Sequence, residues 1–511
     1  MSIKIWSNYL LILILLAGIV LRIYDLGAES LWYDEIGSIE QATRDLPFLF
    51  AKSYLSPAYF LFLKYWMRIF GMSEFALRFP SVIFGVGAIY LIYKLARELF
   101  NRKIGLLSSF ILAISPFHLF YSQEVRHYGL MVFLSLLSML FFLKIVENKF
   151  PVSNRLYACY VIINVLLLYT SLWAIFVIFI QNVFFFLQKI KQKKKWLVFQ
   201  AIIFLAFLVW FIPFIIYFVA NRDYILVGLD WVPKTDFFSL IDTFRVFSYG
   251  GVDYGKFAYY IDPKKIDLSP ALLYILGILS IFGSIPIKRK EYDKIFFLAI
   301  WLFMPILTLF ILSHFLPVYI TRYIIFSSLA YYILIAKGID RIKDYFFQMA
   351  LISIIVISTL PALHFYYKTD IKIRWDQAID YIGKNKKDND IIVVARSDRA
   401  VLLEYMRIKN INKTTSFKID MMKDLGIKRH QGEFVYNHQR SLIIGINDVG
   451  QLKRIVERKI IKDGDKVWFI LCRGAVKAQG IGKYLGSFSQ QKDERHFEGV
   501  SVFYYLITQN Q

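Results

Sequence analysis

The sequence predicts a mainly α-helical, polytopic membrane protein of about 11 spanning helices, followed by a soluble C-terminal α/β domain. The first sign is composition: of 511 residues, 57% are hydrophobic and 18% aromatic, against about 45–50% apolar in a soluble domain. The second is the placement of basic residues. The formal net charge is +23, but Lys and Arg gather in short runs between apolar segments, as the positive-inside rule requires. That pattern argues against nucleic acid as a partner. The third is a change of texture after about residue 365, where short alternating apolar runs replace the long ones.

A spanning helix needs about 20 mostly apolar residues. Candidates lie near 5–24, 76–98, 104–121, 127–146, 156–169, 171–188, 196–219, 269–287, 295–313, 319–337 and 345–364. The first runs into Arg22-Ile23-Tyr24-Asp25 with no small-residue cleavage site, so a retained span is expected. Residues 156–188 carry no charge and are too long for one upright span. Basic runs at both ends demand an even number of passes, hence two short helices turning near Thr170-Ser171. Further basic loops at Arg97, Arg102 and Lys103, at Lys288 to Lys294, and at Lys337 to Lys343 share one side if the N-terminus is cytoplasmic.

The opposite side then receives 25–75, the 221–268 loop and the tail. Residues 25–55 hold six acids against two bases, a net of −4. Residues 56–71 are apolar and aromatic but contain Lys64 and Arg68, which suits a helix lying at the membrane interface. In the tail, Ile391-Ile392-Val393-Val394 and Val467-Trp468-Phe469-Ile470-Leu471 read as strands, with helices near 376–386, 398–407 and 448–461. The expected division is 1–364, a membrane domain with first external loop 25–75, and 365–511, an extracytoplasmic domain. Two cysteines, Cys159 and Cys472, give neither a disulfide framework nor a Cys-rich metal site.

Chemistry-bearing residues collect at the outer ends of the spans. Asp34 and Glu35 stand side by side in the first external loop; the structural alternative is Asp34 as the cap of a helix starting at Glu35. Gln123, Glu124, Arg126 and Tyr128 lie between two apolar helices, where ionisable groups are costly. Arg322 and Tyr323 open a later span, and Arg78 opens another. One Arg at a span end is usually an anchor; three on the side where basic residues are disfavoured point to an anionic ligand. Carboxylates can take a proton from a hydroxyl, and guanidinium groups can hold a departing phosphate by forked hydrogen bonds.

At these residues the chain resembles the bacterial and archaeal branch of the protein O-mannosyltransferase and aminoarabinose transferase families, membrane glycosyltransferases of the GT-C fold. The matching blocks are Leu31-Trp32-Tyr33-Asp34-Glu35, Ser56-Pro57-Ala58-Tyr59, Phe70 through Ser81, Ser115-Pro116-Phe117-His118, and Tyr121 through Tyr128, with Arg322-Tyr323 a weaker match. The resemblance implies transfer of a sugar from a polyprenyl-phosphate carrier to a protein, lipid or glycan acceptor, at the outer face of the cell membrane, with inversion. It implies Asp34 as general base, Glu35 sharing or orienting, and Arg78, Arg126, Arg322 and Tyr323 at the donor phosphate, with Gln123, Glu124 and Tyr128 nearby. Where relatives often have His-Pro-Pro or Lys-Pro-Pro, this chain has Ser56-Pro57-Ala58, so the expectation is no cofactor, with a divalent metal left open but not indicated. His118, His127 and His314 read as separate polar histidines. A non-catalytic polyprenyl-lipid carrier or transporter is the alternative; such proteins often show internal repeats, and this sequence shows none.

Overall fold

The computed structural model describes residues 2–46, 57–147, 153–188, 193–222, 232–250, 269–369, 372–387, 390–395, 399–408, 434–438, 441–446, 463–472, 489–498 and 500–508, with isolated residues between. Two compact units emerge. One comprises Met1–Leu26, Gln41–Gly71 and Phe75–Lys368; the other comprises Gly27–Glu40, Met72–Glu74 and Thr369–Gln511.

The first unit is helical. Its helices are α1 (Ser2–Ile23), α3 (Pro57–Phe70), α4 (Glu74–Leu99), α5 (Arg102–Ile114), α6 (Pro116–Ser122), α7 (Tyr128–Glu147), α8 (Asn154–Thr170), α9 (Ile175–Leu187), α10 (Lys193–Ala220), α11 (Phe237–Tyr249), α12 (Ser269–Ser284), α13 (Tyr292–Leu312), α14 (Ser327–Asp340) and α15 (Tyr345–Lys368). The label α2 is kept for Tyr33–Thr43, which belongs mainly to the second unit. Among the described residues, five helices are long and apolar enough to cross a membrane, within Glu74–Leu99, Tyr128–Val146, Lys193–Ala220, Arg289–Leu312 and Tyr345–Lys368. A sixth crossing is available if the bent pair α5 and α6 counts as one.

The chain between 156 and 188 breaks at Ser171 into α8 and α9, joined by a 3₁₀ turn, Leu172–Ala174. Helix α3 has 14 residues, about 21 Å of rise, too short to cross. The stretch expected as one span over 319–337 instead opens with a 3₁₀ turn, Thr321–Ile324, before α14 starts at Ser327. Thr321, Arg322 and Ile324 are buried there, and irregular backbone is tolerated in such proteins where protein surrounds it.

Two devices lock the helices together. A polar network joins α7 through α10: Gln181 donates to Ser138 at 2.8 Å, Ser138 to Asn164 at 2.8 Å, Tyr160 to Gln181 at 2.6 Å, and Gln200 on α10 to Tyr160 at 3.2 Å. Every member has a partner, as buried polar groups must. Around it stack Phe185 and Trp196, with ring centroids 4.3 Å apart. Elsewhere α12 and α14 cross backbone to backbone at Gly283 and Gly338. A Cβ at Gly338 would overlap the Leu279 carbonyl, and one at Gly283 would overlap the Leu334 carbonyl.

Among the described residues, the second unit carries a six-stranded mixed sheet in the order β2-β3-β1-β4-β6-β5. The strands are β1 (Ile391–Ala395), β2 (Phe434–His438), β3 (Ser441–Ile446), β4 (Lys466–Cys472), β5 (Ser489–Phe497) and β6 (Val500–Ile507). Central β1 runs parallel to β3 and β4, while β2, β6 and β5 pair antiparallel with their neighbours. One face buries Ile391, Val393, Val467, Phe469, Tyr505 and Ile507. Helices α16 (Trp375–Asn385) and α17 (Arg399–Ile408) flank the strands. Most of the expected helix over 448–461 lies outside the described residues.

Candidate functional site

In the helical unit the site is built around a sharp bend. Ser115 precedes Pro116, and proline disfavours helical backbone in the residue before it. Ser115 is extended (φ −61°, ψ 117°), its hydroxyl accepts from the His118 amide at 3.4 Å, and α6 leaves α5 at 63°. Pro116 has no N–H, so the Leu112 carbonyl loses its helical partner. Arg22, fully buried at the end of α1, takes its place. Its guanidinium donates to the carbonyls of Leu112 (3.2 Å), Ala113 (3.0 Å) and Gly18 (3.2 Å) and to the Ser122 hydroxyl (3.2 Å). Arg22, Ser122, Tyr121 and Tyr128 also line a cavity of about 10 Å³, room for about one water.

Beyond α6 the turn 123–127 carries the predicted residues. Gln123 pins it to the end of α1, donating to the carbonyls of Arg22 and Tyr24, both at 2.9 Å, and accepting from the Tyr366 hydroxyl at 2.5 Å. Ser81 on α4 holds the other side, donating to the Glu124 carbonyl at 2.6 Å. One turn earlier on α4, Arg78 donates to the Leu26 carbonyl at 3.0 Å. Glu124, Arg126 and His127 are all buried. The Arg126 guanidinium lies 5.6 Å from the centre of the Tyr128 ring. From the later 3₁₀ turn, buried Arg322 joins this cluster: Arg126 and Arg322 both act electrostatically on His127. Tyr323 is half-buried and stacks on Trp173 at 5.0 Å.

The acidic pair lies in the other unit. Helix α2 begins at Tyr33, so Asp34 sits within its first turn and is not its cap. Capping falls to Glu35. Its carboxylate accepts from the Trp32 amide at 3.3 Å, the reach-back half of a capping box. The same oxygen pairs with Lys372 at 3.1 Å, and both side chains are buried. Asp34 is half-buried, and its carbonyl accepts from Ser38 at 3.1 Å. Just before α2, Ser30 lies 2.7 Å from the Tyr405 hydroxyl of α17 and accepts from the Asp376 amide at 3.2 Å. Tyr405 also receives the Leu31 amide, and burial pushes its hydroxyl pKa up, keeping it protonated.

The structure therefore gathers Gln123, Glu124, Arg126, Tyr128 and Arg322, with Arg78 anchored on the same helix face as Ser81, and separately joins Asp34 and Glu35 to the C-terminal unit. Arg22, Lys372 and Tyr405 are absent from the sequence expectation. Arg22 had a signal, a charge closing an apolar run. The three histidines are separate: His118 bonds Ser328 at 2.7 Å, His314 bonds the Phe310 carbonyl at 2.9 Å, and His127 packs on Tyr128. Among the described residues no group of three or more His, Cys, Asp or Glu is placed to hold a metal ion. Ser56 lies outside the described residues.

Residues 55–217 match the family model of dolichyl-phosphate-mannose-protein mannosyltransferases. The match includes Arg78, Gln123, Glu124, Arg126 and Tyr128; it excludes Asp34, Glu35, Arg322 and Tyr323. No curated protein matches the sequence significantly. Among solved structures, ArnT from Cupriavidus metallidurans bound to undecaprenyl phosphate is similar over 96% of this chain and 97% of its own, with 11% identity and a TM-score of 0.57. The archaeal oligosaccharyltransferase AglB from Archaeoglobus fulgidus, in complex with an inhibitory peptide and a dolichol-phosphate, is similar over 98% of this chain and 74% of its own, with 13% identity and a TM-score of 0.55. The chain is a multi-pass membrane protein with the GT-C fold of membrane glycosyltransferases.

Proposed function

We propose that the protein transfers a sugar from a polyprenyl-phosphate donor to an acceptor hydroxyl, with inversion, at the extracytoplasmic face of the cell membrane. The observation that carries this reading is that Arg126 and Arg322, from distant segments, are both buried and both act electrostatically on His127. A phosphate matches the forked hydrogen-bonding geometry of a guanidinium group, and charge-assisted bonds from two of them would hold it firmly. The family match over 55–217 and the two phosphate-carrier complexes among the similar structures support a lipid-linked phosphate.

In this reading Asp34 takes the acceptor's proton while the acceptor oxygen attacks the anomeric carbon from the face opposite the phosphate. The bond from that carbon to the phosphate oxygen breaks, and the arginines stabilise the charge left on the phosphate. Glu35, already engaged as cap and ion pair, holds the helix that carries Asp34. About eleven spans, with a cytoplasmic N-terminus and the C-terminal unit outside, belong to the same proposal.

The test is Asp34→Asn, assayed by release of the polyprenyl phosphate. Loss of a general base should cut turnover by about 10²–10⁴-fold and leave donor binding and thermal unfolding unchanged. Turnover within twofold of wild type would remove Asp34 as the base.

A further inference from the structure

The C-terminal unit has a second claim on the reaction, through the way it grips α2. That helix has 11 residues, and isolated helices below about 12–15 residues are marginal in water. Something else must fix it, because a reacting carboxylate has to be held to within about half an ångström of its productive position.

Three contacts inside the second unit do this. Lys372, just before α16, pairs with Glu35 at 3.1 Å in a buried setting, and Glu35 also closes the N-terminus of α2 through the Trp32 amide. The Asp376 amide, at the start of α16, donates to Ser30 at 3.2 Å. Tyr405 on α17 meets Ser30 at 2.7 Å and the Leu31 amide. Glu35 and Lys372 are 337 positions apart in sequence, and Ser30 and Tyr405 are 375 apart.

We propose that Lys372 is a positioning residue: through Glu35 it fixes α2 and so sets where Asp34 stands, with Tyr405 fixing the segment just before the helix. Lys372 need not touch substrate. This rests on Asp34 as the base, and it gives the C-terminal unit a part in the chemistry that does not require it to bind the acceptor. The ion pair is suited to the task. A buried carboxylate stripped of its cation is left uncompensated, whereas removing both charges relieves that strain.

The test uses the full-length protein in detergent micelles, with dolichyl phosphate mannose as the donor and dolichyl phosphate release as the readout. Lys372→Met is expected to lower kcat at least 30-fold while the donor KM stays within twofold. Lys372→Arg should retain most of kcat, and the double variant Glu35→Gln/Lys372→Met should regain at least tenfold over Lys372→Met alone. In parallel, a spin label at Tyr33→Cys, with Cys159 and Cys472 replaced by Ser, reports the motion of α2. Its spectrum should sharpen in Lys372→Met and stay broad in Lys372→Arg. An unchanged spectrum together with unchanged kcat overturns the proposal, as does a change in donor KM alone, which would put Lys372 at the donor. If wild-type protein releases nothing from this donor, the transferase reading loses support for it, while the spin label still decides whether Lys372 positions α2.

Discussion

Arg126 and Arg322 both act electrostatically on His127, and both are buried. If they hold the donor phosphate, each contributes charge-assisted hydrogen bonds worth about 1.5–3 kcal/mol. Arg126→Ala and Arg322→Ala should then weaken polyprenyl-phosphate binding roughly ten- to hundredfold each, measured by calorimetry in detergent. Lys at either position should restore only part, because an ammonium lacks the planar fork. Unchanged affinity in both Ala variants would end the phosphate role. These arginines are legible in sequence, since a charge at the end of an apolar run stands out against its surroundings. Lys372 is not: it is one lysine in a tail with many, and only folding brings Glu35 to it. The pair Asp34 and Glu35 stands out in the sequence, but the different parts its two members play in the helix do not. Adjacent carboxylates look alike until the helix start at Tyr33 makes Glu35 the capping residue.

Helix contacts show the same split between what hydropathy reports and what geometry adds. Long apolar runs and flanking charges predict helices at the right places, and the turn at Thr170-Ser171 follows from charge parity. The run over 319–337 misleads because hydropathy counts side chains and is blind to backbone: Ile320, Ile324 and Ile325 are apolar, yet this stretch includes a 3₁₀ turn. The crossing of α12 and α14 is hidden too, since two glycines far apart in sequence announce nothing. Gly338→Val should push the helices apart against the Leu279 carbonyl. Overpacking of this kind costs about 1–3 kcal/mol, to be read as a lowered midpoint of thermal unfolding in detergent, and a midpoint equal to wild type would show that the crossing is looser than it looks. In the sheet, β1 and β4 are legible as buried apolar runs. Strand β5, Ser489–Phe497, is not, because Ser-Gln-Gln-Lys-Asp-Glu-Arg-His reads as a solvated loop. Charge on an edge strand is a common guard against unwanted pairing, and β5 ends the described sheet.

For the molecule as a whole, the apolar surface of α10 and α15 sets the environment. Within their most apolar windows only 17% and 22% of residues are buried by protein, so the bilayer must cover the rest. Val209 on α10 is 70% exposed. An acid there should cost about 2.5–3.5 kcal/mol of insertion free energy, so Val209→Asp should lower the membrane-inserted fraction, whereas the same change at a solvated position should not. Equal insertion of Val209→Asp and wild type would place that face in water. Finally, the joining of residues 27–40 to 369–511 in one unit imposes an order of events on biosynthesis. A ribosome adding about 5–20 residues per second needs roughly 20–70 s to travel the 337 positions from Glu35 to Lys372. Throughout that interval the acidic helix waits without its anchor, so in a nascent chain, or one terminated before Lys372, Glu35 stands without the cation that pairs with it.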